Sequence, residues 1–178
     1  LIDKNLFPDN SYGFSSGGYP AAIPQLTYEQ FLNFHRKYYH PSNSYIFLYG
    51  NADLDDELAF INDNYLNDYD KSEDIASIAI HKPFEELKKV TGYYSIPDGS
   101  STEDKTYLKL SWVIGEGKDQ TLGMALDVLS DVLVNHESGP IRLALQEAGI
   151  GKDVSSYYDG QKQNSLHIRV QNANPLDI

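Results

Sequence analysis

The amino-acid sequence predicts an α+β domain, a two-layer sandwich with helices packed on one face of a largely antiparallel sheet. Three observations lead to this class. Hydrophobic residues make up 40% and charged residues 22%, as in soluble globular domains. No apolar run approaches the roughly 18 residues of a membrane span. From residue 44 onward, segments of strand composition and of helical spacing follow in the order β-α-β-β-α-α-β-β, which is typical of an α+β sandwich.

Residues 1–26 are rich in turn-forming residues. Prolines and glycines interrupt every long element in this region, and only short apolar clusters stand between them. We therefore interpret residues 1–26 as an interdomain connector, which precedes a domain over residues 27–178. The interrupting residues are Pro8, Gly13, Gly17, Gly18, Pro20 and Pro24.

A capping box marks the first helix of the domain. Thr27 stands where an N-cap is expected, and Gln30 occupies the third helical position. Apolar residues then recur at helical spacing until Pro41, which disfavours helical geometry at the residue before it. The stretch SYIFLY follows, and its nearly continuous apolar character indicates a central strand covered on both faces. The predicted elements are a helix over 28–39, a strand over 44–49 and a helix over 54–69.

The second half of the chain predicts four strands and two helices. Apolar residues from Leu122 to Leu133 repeat at helical spacing and indicate the strongest helix of the chain. Pro140 in a first turn and Gly149 after a last turn delimit a shorter helix. The predicted strands are 90–96, 107–114, 154–158 and 166–170, and the predicted helices are 119–134 and 140–148.

Charge and cysteine content restrict the partners. The formal net charge is −12, and the chain has no cysteine. Nucleic-acid phosphates and anionic membrane surfaces would repel such a chain, so we expect neither as a partner. Disulfides, thiolate metal sites and a cysteine nucleophile are excluded. The start lacks an initiator methionine and the layout of a signal peptide, so the chain looks cut from a longer one, and a soluble, cytoplasmic protein is favoured.

The histidines do not have the spacing of a metal site. A helical zinc pair needs histidines three or four residues apart, whereas His35 and His40 are five apart, about 140° round a helix. We expect His35 to pack on the helix face and His40 to cap the C-terminus of the helix. His136-Glu137 begins the motif HExxH, but Pro140 occupies its last position. The inverted motif HxxEH fails as well, because valine and serine stand where its histidines would be.

Nucleophile motifs are missing too. No GxSxG is present, and the runs of carboxylates indicate solvated faces. The residues by themselves therefore indicate no self-contained catalytic or metal site in this chain.

Short motifs along the chain carry a resemblance to a known family. In the first 50 residues they are Ser16-Gly17-Gly18, Pro20, Ile23-Pro24, Leu26 to Glu29, Phe34-His35 and Tyr39 to Asn43. Later ones are Ser138-Gly139-Pro140, Leu143 to Gly149 and Tyr158-Asp159-Gly160. Together they resemble the segment that follows the catalytic domain in presequence-protease-like members of the pitrilysin/insulinase metallopeptidase family.

The resemblance implies a supporting role. Proteins of this family contain four homologous α+β domains in two halves that close around a peptide. Zinc is held in the first domain, and an assisting Arg/Tyr pair belongs to the second half. The chain resembles the connector and the non-catalytic second domain, which implies no catalytic residue and no metal ligand here. It also implies a parent zinc metalloendopeptidase, whose catalytic domain is the partner of this one. The closing helix and strand of such a domain are missing, so we expect an incomplete C-terminus.

One binding role is also implied. In insulinase-type relatives, the strand after the helical hairpin of the second domain pairs with the N-terminal end of the substrate. The matching residues are Val154, Ser155, Ser156, Tyr157, Tyr158 and Asp159. An exposed strand edge can bind an extended peptide through backbone hydrogen bonds, although an ordinary surface strand has the same composition. The acidic balance of the chain would favour a basic peptide.

Two other functions stay open at this stage. The chain is a stand-alone inactive homologue that acts as a binding or assembly subunit, or it is an unrelated hydrolase whose site the spacing of residues does not reveal. The first alternative predicts a co-purifying partner, and the second predicts a carboxylate or histidine cluster.

Overall fold

The computed structural model describes residues 1–73 and 76–177. Its contacts divide the chain into two compact units, Leu1–Phe14 with Ala79–Ile178, and Ser15–Ile78. The predicted boundary after residue 26 is not tested by this division and stays a prediction. Within the described residues, no helix is both long and apolar enough to cross a membrane.

Five α-helices and three strands form the regular structure of the described residues. The helices are α1 (Ile2–Leu6), α2 (Tyr28–Tyr38), α3 (Leu54–Ile61), α4 (Gln120–Ser130) and α5 (Pro140–Glu147). π-helical turns, Asn62–Leu66 and Asp131–Asn135, follow α3 and α4. The strands are β1 (Thr106–Glu116), β2 (Asp153–Gly160) and β3 (Gln163–Ala173). The predicted α+β class is confirmed.

The sheet of the first unit is antiparallel and has the strand order β1-β3-β2. β2 and β3 form a hairpin in which Ser156 lies opposite Ile168. β1 pairs with the other side of β3 and places Leu110 opposite the same Ile168. Both β1 and β2 are therefore edge strands among the residues that the structure describes.

The core lies between the sheet and the helices that follow β1. Four buried residues form its centre, namely Val134, Val154, Val170 and Ala173. Asp119 caps α4, because its Oδ1 accepts a hydrogen bond of 2.9 Å from the backbone N–H of Leu122. Pro140 occupies the first turn of α5, as the sequence predicts.

The second unit has its predicted caps but no buried core. Thr27 and Gln30 form both bonds of the capping box, with donor–acceptor distances of 3.2 Å and 2.8 Å. Asp53 caps α3 by accepting from the N–H groups of Asp55 and Asp56. Across 15–73 and 76–78, the described residues of this unit, none is buried.

Two predicted strands are wrong. Residues 44–49 and 90–96 have no strand partner in the described structure. A strand needs a neighbouring chain for its backbone groups, and apolar composition alone does not supply one. Tyr45, Phe47 and Tyr49 are instead 104%, 87% and 96% exposed, the opposite of a strand covered on both faces.

Two details of the predicted helices also differ. The helices predicted over 54–69 and 119–134 are α-helical only as far as Ile61 and Ser130 and then widen into π-helical turns. His40 does not cap the end of α2. Its Nδ1 accepts a hydrogen bond of 3.1 Å from the N–H of Ser42 and so caps the following turn, because its backbone is already extended there. His35 does pack on the helix, stacked on Tyr39 at 4.6 Å.

Candidate functional site

The six residues proposed to bind peptide all lie on β2, one of the two edge strands. The alternation of the strand divides them between the two faces of the sheet. Val154 and Ser156 are buried, whereas Tyr157 on the opposite face is partly exposed. The strand therefore offers one tyrosine side chain and its outer backbone edge to a ligand.

The outer edge of β2 is closed at Ser156. The side-chain amide of Asn135 accepts a hydrogen bond of 2.8 Å from the N–H of Ser156 and donates one of 2.9 Å to the carbonyl of the same residue. These two bonds reproduce what a neighbouring strand would make. Asn135 is the last residue of the π-helical turn, which brings its side chain to the strand.

Arg142 closes the same edge at Val154, two residues before Ser156. Its Nη2 donates to the carbonyl oxygen of Val154 at 2.6 Å, and its Nε donates to the carbonyl of Val134 at 2.8 Å. Sequence reasoning missed both Asn135 and Arg142. The only signal was their position around the helix break at Gly139-Pro140, which does not specify a bond to a distant strand.

The other end of β2 is open. Ser156 bonds outward, and backbone directions alternate along a strand, so the groups of Tyr158 and Gly160 also point outward. Among the described residues, neither has a backbone partner on that side. The Tyr158 hydroxyl donates to the Asn164 side chain at 3.0 Å. The candidate site therefore narrows to Tyr158, its neighbour Asp159 and the exposed ring of Tyr157.

A polar cluster lies on the sheet face opposite the core. His167 on β3 is only 3% exposed, with Nδ1 at 2.8 Å from the Ser111 hydroxyl and Nε2 at 2.9 Å from the Ser165 hydroxyl. The Tyr157 ring packs at 4.7 Å. Lys109 donates to the Tyr157 hydroxyl at 2.6 Å.

The environment keeps His167 neutral. Burial and, after it, the positive charge of Lys109 lower the pKa of His167 from 6.5 to about 4. Serine hydroxyls occupy both ring nitrogens, so no carboxylate orients the imidazole as in a hydrolytic triad. The cluster ties the three strands together.

The described residues do not form a metal centre. No group of three histidine, cysteine, aspartate or glutamate side chains in that part of the chain could hold a metal ion. His136, the start of the failed zinc motif, pairs with the Ser138 hydroxyl at 2.8 Å. A catalytic zinc does not fit this set of side chains.

The fold and its polar residues thus define an α+β domain with a partly closed sheet edge and without a metal-binding constellation among its described residues. Comparison with known families gives the same class. The model described as "Peptidase M16 inactive domain" matches residues 25–178, so the chain belongs to this family. The predicted resemblance to pitrilysin/insulinase-type peptidases is confirmed.

Individual relatives extend the comparison. The chain is 45% identical over 173 residues to "Protein HypA" of Clostridium perfringens, covering 97% of the chain and 18% of that protein. It is 32% identical over 168 residues to a mitochondrial presequence protease of Schizosaccharomyces pombe, with 93% and 17% covered. A chloroplastic and mitochondrial presequence protease of Arabidopsis thaliana is 34% identical over 159 residues, with 88% and 15% covered. The chain thus spans less than a fifth of the length of these relatives.

Proposed function

We propose that the chain is a non-catalytic domain of a zinc-dependent peptidase that degrades peptides in an enclosed chamber. Its role is to form part of the chamber wall. The match to an inactive peptidase domain over residues 25–178 carries this proposal. In this proposal, zinc and the catalytic residues belong to the catalytic domain of the parent chain, and the lack of a three-ligand cluster among the described residues is consistent with it.

The same proposal gives β2 a part in binding substrate. Of the six residues from Val154 to Asp159, Tyr158 keeps both of its outward backbone groups without a backbone partner among the described residues, and the ring of Tyr157 is exposed beside it. An extended peptide would bond to the outward groups of Tyr158 and Gly160 and place a side chain near Tyr157. The net charge of −12 favours a basic peptide.

The first experiment tests whether this domain is non-catalytic. The isolated chain should retain no zinc after dialysis against a zinc-containing buffer and should cleave no fluorogenic peptide. The intact parent polypeptide should do both. Stoichiometric zinc on the isolated chain, with cleavage, would contradict the assignment of this domain as non-catalytic.

The second experiment tests the β2 edge in the intact parent polypeptide. Tyr158→Pro removes one outward N–H, and we expect it to raise KM for a basic peptide by about tenfold with little change in kcat. Tyr158→Phe keeps the N–H and should retain the KM of the unmodified protein. Equal kinetics for both variants, with unchanged circular dichroism, would remove β2 from substrate binding.

Exposed aromatic residues favour a second candidate function. Tyr45, Phe47 and Tyr49 present a fully exposed row that suits contact with another polypeptide. An inactive homologue that serves as a binding or assembly subunit would use such a surface. An upstream coding region without HxxEH would support this function over that of a supporting domain.

A further inference from the structure

A groove of the first unit runs along β1, at the edge of the sheet opposite β2. Its volume is about 760 Å³. α1, residues 80–90 and β1 form its walls. None of the residues proposed to bind peptide on β2 lines it.

Among the described residues, the backbone of β1 has no partner on the groove side. The bonds of Ser156 show that even-numbered residues of β2 direct their backbone N–H and carbonyl groups away from β3. Ile168 of β3 lies opposite Ser156 and therefore directs its backbone groups to the other side, where it bonds to Leu110 of β1. Lys109, Ser111 and Val113 therefore direct their N–H and carbonyl groups away from β3. Residues 1–73 and 76–177 provide no backbone partner for them. An open edge of this kind is a template for another extended chain.

The walls of the groove are largely apolar. Trp112, the only tryptophan of the chain, is 41% exposed there, and Leu110 beside it on β1 is also exposed. Phe84 and Ile80 contribute further exposed apolar surface. A ligand that paired with the β1 backbone would bury these side chains with alternate side chains of its own.

A buried histidine of the groove has one ring nitrogen without a hydrogen-bond partner among the described residues. His81 is 6% exposed, and its Nδ1 is 2.6 Å from Oδ1 of Asp9. The Asp9 carboxylate occupies Nδ1, so Nε2 is the ring nitrogen left for another partner. Nε2 has no hydrogen-bond partner among the described residues, which is uncommon for a buried polar atom. A polar group of a ligand would satisfy it.

The charges of the groove favour a basic ligand. Glu85 and Glu86 line it and form no ion pair within the part of the chain that the structure describes. Two lysines line it as well, because Lys88 lies over the Phe84 ring at 6.0 Å and Lys109 donates to Tyr157 at 2.6 Å. Three lining carboxylates, those of Glu85, Glu86 and Glu116, outnumber these two lysines, so the lining side chains carry a net negative charge.

We propose that this groove binds an extended peptide segment, which adds as a strand to the edge of β1. The segment carries apolar side chains at alternate positions and at least one lysine or arginine, which pairs with Glu85 or Glu86. This site is independent of the peptide contact proposed for β2, because the two lie on opposite edges of the sheet.

The intrinsic fluorescence of Trp112 tests the proposal directly, since it reports on this groove alone. The probe is an end-capped peptide of about eight residues in which valine alternates with lysine or threonine. We expect a saturable blue shift of the emission. Two N-methylated peptides, modified at odd or at even positions, should differ, because only one set faces β1. Equal binding by both, or by a peptide with its valines in one block, would overturn strand addition in favour of a general apolar ligand.

Protein variants locate the edge. Val113→Pro removes an outward N–H and should weaken peptide binding about tenfold. Charge reversal in the double variant Glu85→Lys/Glu86→Lys should weaken binding to a similar extent. This second change cannot act through the sheet, because both glutamates are exposed and lie outside the strands. Tyr158→Pro on β2 should leave the Trp112 response unchanged. Loss in Tyr158→Pro with retention in Val113→Pro would assign binding to β2 and overturn the proposal.

Amide hydrogen exchange in the absence of peptide tests whether the β1 edge is free. The amides of Lys109, Ser111 and Val113 should exchange rapidly and slow down when the peptide is added. Protection in its absence, or a concentration-dependent shift of Trp112 emission without peptide, would show an edge already covered by this chain or by a second copy. Either result would overturn the proposal.

Discussion

The two edge strands of the sheet differ in whether their outward backbone groups have hydrogen-bond partners among the described residues. On β2, the amide of Asn135 and the guanidinium of Arg142 bond to outward groups of Ser156 and Val154. On β1, the outward groups from Lys109 to Val113 have no backbone partner in the described residues and lie along an apolar groove. Side chains of the domain thus protect the β2 edge at Val154 and Ser156, while the β1 edge stays available for pairing among the described residues.

The largest expected effect comes from opening the closed edge. Asn135→Ala leaves the N–H and carbonyl of the buried Ser156 without partners, so the free energy of unfolding should fall by about 2–4 kcal/mol. Urea denaturation measures this change. Asn33→Ala, on the exposed surface of α2, is the matched control and should change the stability by less than about 0.5 kcal/mol. Equal values for the two variants would mean that Asn135 does not protect β2.

Acid should loosen the centre of the sheet, where His167 connects the two edges. The pKa of His167 is lower in the folded chain, so the unfolded chain binds the proton first as the pH falls. Stability from this residue is complete above pH 6.5 and declines towards pH 4, by at most about 3 kcal/mol. Urea denaturation at several pH values, compared with His167→Gln, isolates this contribution. The same pH dependence in both proteins would contradict it.

A smaller effect is expected where α4 packs closely against Tyr158 of β2. A Cβ at Gly123 would lie 2.7 Å from the hydroxyl oxygen of Tyr158 on β2. Gly123→Ala should therefore destabilise the domain by about 1–2 kcal/mol, despite the better helix propensity of alanine. In a Tyr158→Phe background the oxygen is absent, so the same substitution should cost clearly less. Additive costs in thermal or urea denaturation would argue against this close contact.

The smallest effect concerns the link between the edges. Lys109 on β1 contacts Tyr157 on β2, and its charge helps to lower the pKa of His167. Lys109→Met should raise the pKa of His167 measured by NMR titration and change stability by only a few tenths of a kcal/mol. Lys118→Met removes an exposed lysine paired with Glu116 and should leave the His167 titration unchanged. An unchanged titration in both variants would exclude a direct influence of Lys109.

The sequence predicted most of the local structure but only part of the candidate site. The capping box at Thr27, the helix start at Pro140 and the strands of the hairpin were all readable from spacing and residue type. The strands over 44–49 and 90–96 were wrong, because strand composition indicates a chain suited to pairing and does not identify its partner. Asn135 was missed because its bonds to Ser156 depend on a π-helical turn, and no sequence motif predicted that turn.

Local sequence was enough to set the starts of α2, α3 and α5, the family resemblance and the failure of every zinc motif. These features depend on residues a few positions apart, whose spacing and chemistry act locally. Only the tertiary structure decided which strands became edges, which edge Asn135 and Arg142 would close, and why His167 is buried between two serines. Those outcomes depend on contacts between residues far apart along the chain, and pairing between distant segments is set by the packed fold as a whole.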